Sequence, residues 1–321
     1  MTPILLAEIE AARARIEGIA IRTPLVPLNV QDGGPRILLK LENLQPIGSF
    51  KIRGAANAMA VAGREALADG VYTASAGNMA QGVAWGARRL GIRCRVVVPE
   101  SAPLAKTAAV ERLGGEVIRV PFDEWWQTML DHGHPDIDGL FIHPFADPAV
   151  MAGNGTIGLE ILEDAPDVEA IVVPYGGGGL SSGIASALRA IKPDVRVYAA
   201  EVETAAPFAA SLAQGSPATI DSKPSFVDGI GGKGVFAGMW PLTSKLLAGS
   251  LVVSLAEIAV AIRLLAERNH VVAEGAGAAP VAAALNRTVD AKTIVCVVSG
   301  GNIDLEVLAA ILRGEVPTKE H

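Results

Sequence analysis

Short apolar runs separated by amphipathic stretches recur along the chain with the spacing of strands alternating with helices. Residues 37–41, 71–74, 95–98, 116–120, 140–143, 170–174, 195–201 and 293–298 are apolar enough to predict buried strands. Between them, residues 50–62, 78–90, 105–113, 123–132, 154–162, 180–191, 255–268, 277–285 and 304–312 carry the apolar spacing of helices, and residues 1–15 open the chain as an amphipathic helix. Strands that are apolar nearly throughout must be covered on both faces, so the pattern predicts an α/β protein built on parallel sheets. Regularity fails over residues 204–238, where Gly, Pro and Ser accumulate in a way that suits binding loops. No internal repeat is visible.

Composition narrows the field. With 321 residues, half of them hydrophobic and 19% charged, the chain can bury one large core or two smaller ones. A formal net charge of -7 without any basic run argues against a nucleic-acid or anionic-membrane partner and for a small neutral or zwitterionic ligand. Cys94 and Cys296 sit inside apolar runs without metal or disulfide spacing, and are expected as reduced core residues. The start of the chain lacks the apolar core of a signal peptide, which points to the cytoplasm. The long charge-free run 170–188 is broken by Pro174 and four glycines, so it is no membrane helix.

Candidate chemistry centres on Lys51. The strand 37–41 runs into a turn marked by Pro46 and Gly48, and Ser49 is expected to cap the helix that follows. Lys51 then lies in a first helical turn, where the helix dipole and lost hydration both favour a neutral, nucleophilic amine over a cation. A snorkelling surface lysine is the plain alternative.

Three strand ends offer partners. The strand 170–174 enters Gly176, Gly177, Gly178 and Gly179 and leaves as a helix, so that several backbone N–H groups can converge on a phosphate; a β-branched residue at Gly178 should fill that cradle. Gly177, Gly179 and Gly183 also fit a loose dinucleotide fingerprint, with Glu201 where a ribose-binding acid would stand, which keeps a nicotinamide enzyme open, as well as a non-catalytic ligand-binding protein. Strand 293–298 ends in Ser299, whose hydroxyl can meet one heteroatom in the same crevice. Residues Ser75, Ala76, Gly77 and Asn78 pass from a strand end to a helix start, with free N–H groups suited to a carboxylate.

Taken together, and in this order, the four motifs resemble those of the fold type II pyridoxal-5′-phosphate enzymes, specifically the branch of serine/threonine dehydratases and serine racemases, over nearly the whole chain. The resemblance implies two open parallel-sheet domains of tryptophan synthase β-like fold with the cofactor in the cleft between them, residues 1–62 and 146–321 forming a large domain and 68–142 a small mobile one. It implies that Lys51 forms the Schiff base with pyridoxal 5′-phosphate, that Phe50 packs on the ring, Asn78 bonds the ring hydroxyl, Gly176 to Gly179 hold the phosphate and Ser299 meets the pyridine nitrogen, and that Ser75 to Asn78 receive the substrate carboxylate. A serine partner leaves that nitrogen largely unprotonated, a weaker electron sink that favours prompt loss of a β-leaving group. The expected activity is dehydration and deamination of a β-hydroxy L-amino acid such as L-threonine or L-serine, by a cytoplasmic homodimer acting on a small-molecule substrate.

Departures from the family pattern qualify this expectation. Ala76 replaces the serine that racemases use as acid on the face opposite the lysine, which argues against racemisation. Met79 replaces a common histidine. Of the family's cation site Glu201 and a carbonyl near Ala205 remain, but Pro207 stands where a second acid belongs, so no metal site is assigned. Trp126 takes the position of a basic pocket residue, which suggests a bulkier or more apolar substrate side chain. With its last residue at His321, the chain has no room for the regulatory domain of some biosynthetic threonine dehydratases, and a catabolic or unregulated role is expected.

Overall fold

The computed structural model describes residues 1–30 and 33–318. Its strands are β1 (Leu25–Pro27), β2 (Arg36–Leu41), β3 (Val71–Ala74), β4 (Cys94–Pro99), β5 (Glu116–Val120), β6 (Leu140–Phe141), β7 (Ala170–Pro174), β8 (Arg196–Val202), β9 (Gly249–Val253) and β10 (Thr293–Val298). They form two sheets, one of six strands in the order β1-β2-β10-β7-β8-β9 and one of four in the order β5-β4-β3-β6. Every pairing is parallel except β1 with β2. At the centre of the larger sheet β10 is buried at all six positions, because helices cover both faces.

One apolar cluster packs helix Gly275–Leu285 and helix Leu255–Leu264 on the first face of the larger sheet. A second packs helix Pro148–Asp164 and helix Gly179–Ile191 on the other. The smaller sheet has its own core, which includes Val83, Val96 and Val98, but it also takes Ala55, Ala58 and Met59 from helix Lys51–Ala66. That helix therefore has a face in the smaller lobe, and its regular backbone breaks at Gly63 (φ 76). Both cysteines are buried free thiols. Among the described residues no helix is long and apolar enough to cross a membrane.

Several elements differ from the expected pattern for local reasons. Helix Pro148–Asp164 starts six residues before the expected position, since Asp147 accepts from the Ala149 and Val150 N–H groups and Pro148 suits a first helical position. The stretch 204–238 contains helix Pro207–Gln214, also opened by a proline. Strands β1 and β9 were too short or too half-buried to leave a strand pattern. Ser49 does not cap its helix: the cap position is Phe50, and the Ser49 hydroxyl is buried without a partner.

Candidate active site

The expected motifs meet at the carboxyl ends of β2, β3, β7 and β10, where an open parallel sheet gathers ligands. They line a cavity of about 330 Å³ between the two lobes. Gly48, at φ 72, makes the turn after β2, and its backbone is stitched to the end of β10: Gly301 N–H donates to Gly48 O (2.9 Å) and Phe50 N–H to Ser299 O (3.0 Å). A side chain at Gly48 would sit 2.7 Å from Asn302 Oδ1. Two backbone hydrogen bonds between these segments thus fix Lys51 and Ser299 relative to one another.

Lys51 Nζ donates to Pro144 O at 2.7 Å and lies 5.1 Å from the Phe50 ring centre. Burial lowers its pKa to about 8, against the opposing pull of Glu274. The acceptor is itself fixed, because His143 Nδ1, just before Pro144, accepts from the N–H groups of the two residues that follow it, Phe145 (3.2 Å) and Ala146 (2.8 Å). Burial, with the neighbouring His132 and Lys51, pushes His143 down to about 3, so the ring stays neutral beside the amine.

After β7 the chain reaches Gly176, Gly177 and Gly178, and helix Gly179–Ile191 begins without any side-chain cap. Its opening N–H groups border the cavity, which makes this helix start an acceptor for an anion. The glycines are sterically required. A Cβ on Gly177 would lie 2.2 Å from the Phe145 ring, and one on Gly179 2.6 Å from Phe145 O. Gly178 differs from expectation: at φ 85 its missing Cβ faces Thr243 (2.9 Å) and Tyr175 (3.3 Å) rather than the cavity, so a β-branched residue there would strain the backbone and crowd those two side chains instead of filling the cradle.

Ser299 is 2% exposed and borders the same cavity. Ser75, Ala76, Gly77 and Asn78 line its far side on the smaller lobe, with Gly77 N–H donating to Ser75 Oγ at 3.2 Å. Asn78 is held at both ends of its amide, donating to Glu274 Oε1 (2.8 Å) and accepting from Asn302 Nδ2 (2.7 Å). A phosphate at the glycine turn, a heteroaromatic nitrogen at Ser299 and a carbonyl at Lys51 would each find a suitable partner in this donor set.

Trp126 is not part of this wall. It is 41% exposed and meets Phe236 edge-on (6.5 Å), while the adjacent Trp125 borders the cavity with its indole N–H buried and unpartnered. Successive helical residues point about 100° apart, and helix Phe122–Leu130 is rotated to turn Trp125 inward. Glu201 is engaged elsewhere as well: its carboxylate accepts from the Phe208 and Ala209 N–H groups (both 2.8 Å) and from Ser250 Oγ (2.5 Å), capping a helix rather than facing the cavity. Sequence reasoning missed Glu274, Phe145 and the pair Lys106–Asp228 (2.5 Å), which spans the cavity mouth from the smaller lobe to the larger. Glu274 left one trace, an acid directly before the apolar helix 275–285.

Comparison with known proteins agrees with this geometry. A curated relative in Thermotoga maritima described as an L-threonine ammonia-lyase is 43% identical over 315 residues, which span 97% of this chain and 78% of the relative. Another of the same description, in Geobacter sulfurreducens, is 46% identical over 87% of this chain and 70% of its own. The structure of maize serine racemase superposes with a TM-score of 0.89 at 33% identity, covering 97% of this chain and 98% of that one. A family model described as pyridoxal-phosphate dependent enzyme matches residues 16–300. With its lysine, glycine turn and strand-end serine gathered in one cleft, the chain belongs to the pyridoxal-phosphate dependent enzymes.

Proposed function

We propose that the protein is an ammonia-lyase that dehydrates and deaminates a β-hydroxy L-amino acid such as L-threonine or L-serine, releasing a 2-oxo acid and ammonia. The observation that carries this reading is the partly buried Lys51 amine, with a pKa near 8, facing the Ser75–Asn78 loop across one cavity. Relatives described as L-threonine ammonia-lyases support the substrate class. We further propose a cytoplasmic homodimer in which residues 1–62 and 146–321 form the cofactor-binding domain and 68–142 a mobile one.

Pyridoxal phosphate, when bound, supplies the electron sink that makes the proton beside the substrate amino group removable. The N–H groups of the Gly176–Gly179 turn would hold its phosphate, Phe50 would pack on its ring, Asn78 would donate to its ring hydroxyl and the Ser299 hydroxyl would meet its ring nitrogen, all from positions on the one cavity. Ser75, Ala76 and Gly77 receive the substrate carboxylate at the start of helix Asn78–Leu90. Lys51 Nζ takes the α-proton, and its lowered pKa keeps a share of the amine free to do so. Loss of the β-hydroxyl as water, then hydrolysis of the C–N bond, turns RCH(OH)–CH(NH3+)–COO− into RCH2–CO–COO− and ammonium. Trp125 and Phe145 give the same cavity an apolar stretch of wall.

A racemase is the second reading, because structural neighbours include serine racemases. Ala76 argues against it, since a methyl group carries no proton to the opposite face. The two are separated by incubating the protein with L-threonine and L-serine and scoring ammonia, 2-oxo acid and D-serine. Ammonia and 2-oxo acid in equal amounts are expected, with D-serine slower than pyruvate, and Ala76→Ser should raise D-serine. D-serine forming as fast as pyruvate in the unsubstituted enzyme would overturn the lyase reading.

A further inference from the structure

Glu274 occupies the N-cap of helix Gly275–Leu285 yet makes no side-chain cap bond. Its carboxylate turns instead to the cavity wall, where Oε1 accepts from Asn78 Nδ2 at 2.8 Å. Asn78 Oδ1 accepts from Asn302 Nδ2 (2.7 Å), and the same nitrogen also donates to Ile47 O (2.9 Å). A carboxylate can only accept when ionised, so the Asn78 amide has one available orientation, with one N–H spent on Glu274 and the other left over.

Packing locks the carboxylate in that place. Glu274 N–H donates to Gly300 O (3.0 Å), and a Cβ on Gly300 would stand 2.5 Å from Oε1. Gly277 on the same helix is pressed against that turn, its missing Cβ 2.5 Å from Gly300 O. The helix start and the Ser299–Gly300 turn therefore approach without room for any side chain between them. The charged groups acting on Glu274 come from three other segments: Asp228, Lys106 and Lys51. Burial, with Asp228, raises its pKa to about 7 against Asn78 and the two lysines, so the bond to Asn78 becomes charge-assisted as the pH rises past neutrality.

We propose that Glu274 is a positioning residue for the cofactor, orienting and polarising the Asn78 amide so that its remaining N–H is presented to the ring oxygen. The inference rests on the reading of Asn78 as partner of the ring hydroxyl. A carboxylate acting through an amide in this way tunes the ring's proton equilibrium without touching the ring.

The test compares the full-length protein with Glu274→Ala, Glu274→Gln, Asn78→Ala and the Glu274→Ala/Asn78→Ala double variant, each reconstituted with pyridoxal phosphate. The readouts are the cofactor Kd and the pH titration of its visible absorbance band. Glu274→Ala is expected to weaken cofactor retention roughly tenfold and to move the midpoint of the band's titration. Glu274→Gln keeps an acceptor oxygen without the charge, so it should restore most of the retention and leave the midpoint moved; it carries the test should the alanine variant fold poorly. In the Asn78→Ala background, loss of Glu274 should add nothing. A wild-type Kd and titration in both Glu274 variants, or an undiminished effect of Glu274→Ala when Asn78 is already absent, would overturn the proposal. An Asn78→Ala protein with unchanged Kd and band would instead sink the reading of Asn78, and this inference with it.

Discussion

Lys51 is a lysine with a partner for its hydrogen but none for its charge close at hand, since Pro144 O at 2.7 Å is neutral and Glu274 acts only from a distance. A pKa near 8 leaves about a tenth of the amine neutral at pH 7, against about one part in three thousand for a pKa of 10.5. Only the neutral amine attacks an aldehyde. Capture of pyridoxal phosphate by cofactor-free protein should therefore accelerate about tenfold from pH 6 to 7 and level off above pH 8 to 9. Stopped-flow absorbance measures this, and borohydride reduction should leave the label on Lys51. A rate still climbing about tenfold from pH 8 to 9 would mean an ordinary exposed lysine. The importance of Lys51 was legible because a cation in a first helical turn between glycine-rich strand ends is anomalous. Glu274 was not, because an acid before an apolar helix is also what the helix dipole favours on its own.

The helix that carries Lys51 is anchored by charge rather than by apolar contact alone. Arg53, only 1% exposed, donates from Nε and Nη2 to Glu42 (both 2.8 Å) and from Nη1 and Nη2 to Glu160 (2.7 and 2.9 Å). Buried Lys40 completes the set through Glu160 (2.5 Å) and Thr23 O (2.7 Å). Two cations and two anions thus join β2, helix Lys51–Ala66 and helix Pro148–Asp164. Removing one member leaves a buried charge uncompensated, so Glu160→Ala should cost about 3–5 kcal/mol in urea unfolding. A loss below about 1 kcal/mol would show the network to be solvated. Burial pushes the Glu42 carboxyl up, but Arg53 outweighs it and holds the group below its usual 4.5. The stability that Glu42 lends is complete above that value and drains away as the pH falls through the lowered one. None of this network was legible, because the alternation of apolar and polar residues does not say which polar residues will pair across three elements. The strands were legible because parallel sheets demand uninterrupted apolar runs. The choice between Trp125 and Trp126 was not, since it depends on the absolute rotation of a short helix.

At the scale of the whole molecule, the two sheets differ in how the chain visits them. The smaller sheet uses one unbroken stretch, β3 to β6, residues 71–141. The larger one places β2, from residues 36–41, beside β10, from 293–298, in register from Thr293 opposite Arg36 to Val298 opposite Leu41. Contacts that distant in sequence are slow to close, and they close after local ones. An order of assembly follows: the smaller lobe can acquire its hydrogen-bonded ladder early, while the stitch from Ser299 and Gly301 to Phe50 and Gly48 waits for the last strand. Until that strand docks there is no crevice beside Lys51, so a nascent or partly refolded chain has nowhere to retain its prosthetic group. In refolding from urea, pulse-labelled amides of β3 and β4 should be protected before those of β2 and β10, and cofactor fluorescence should recover only with the slowest phase. Recovery of that signal together with the earliest protection would mean that the crevice forms without the final strand.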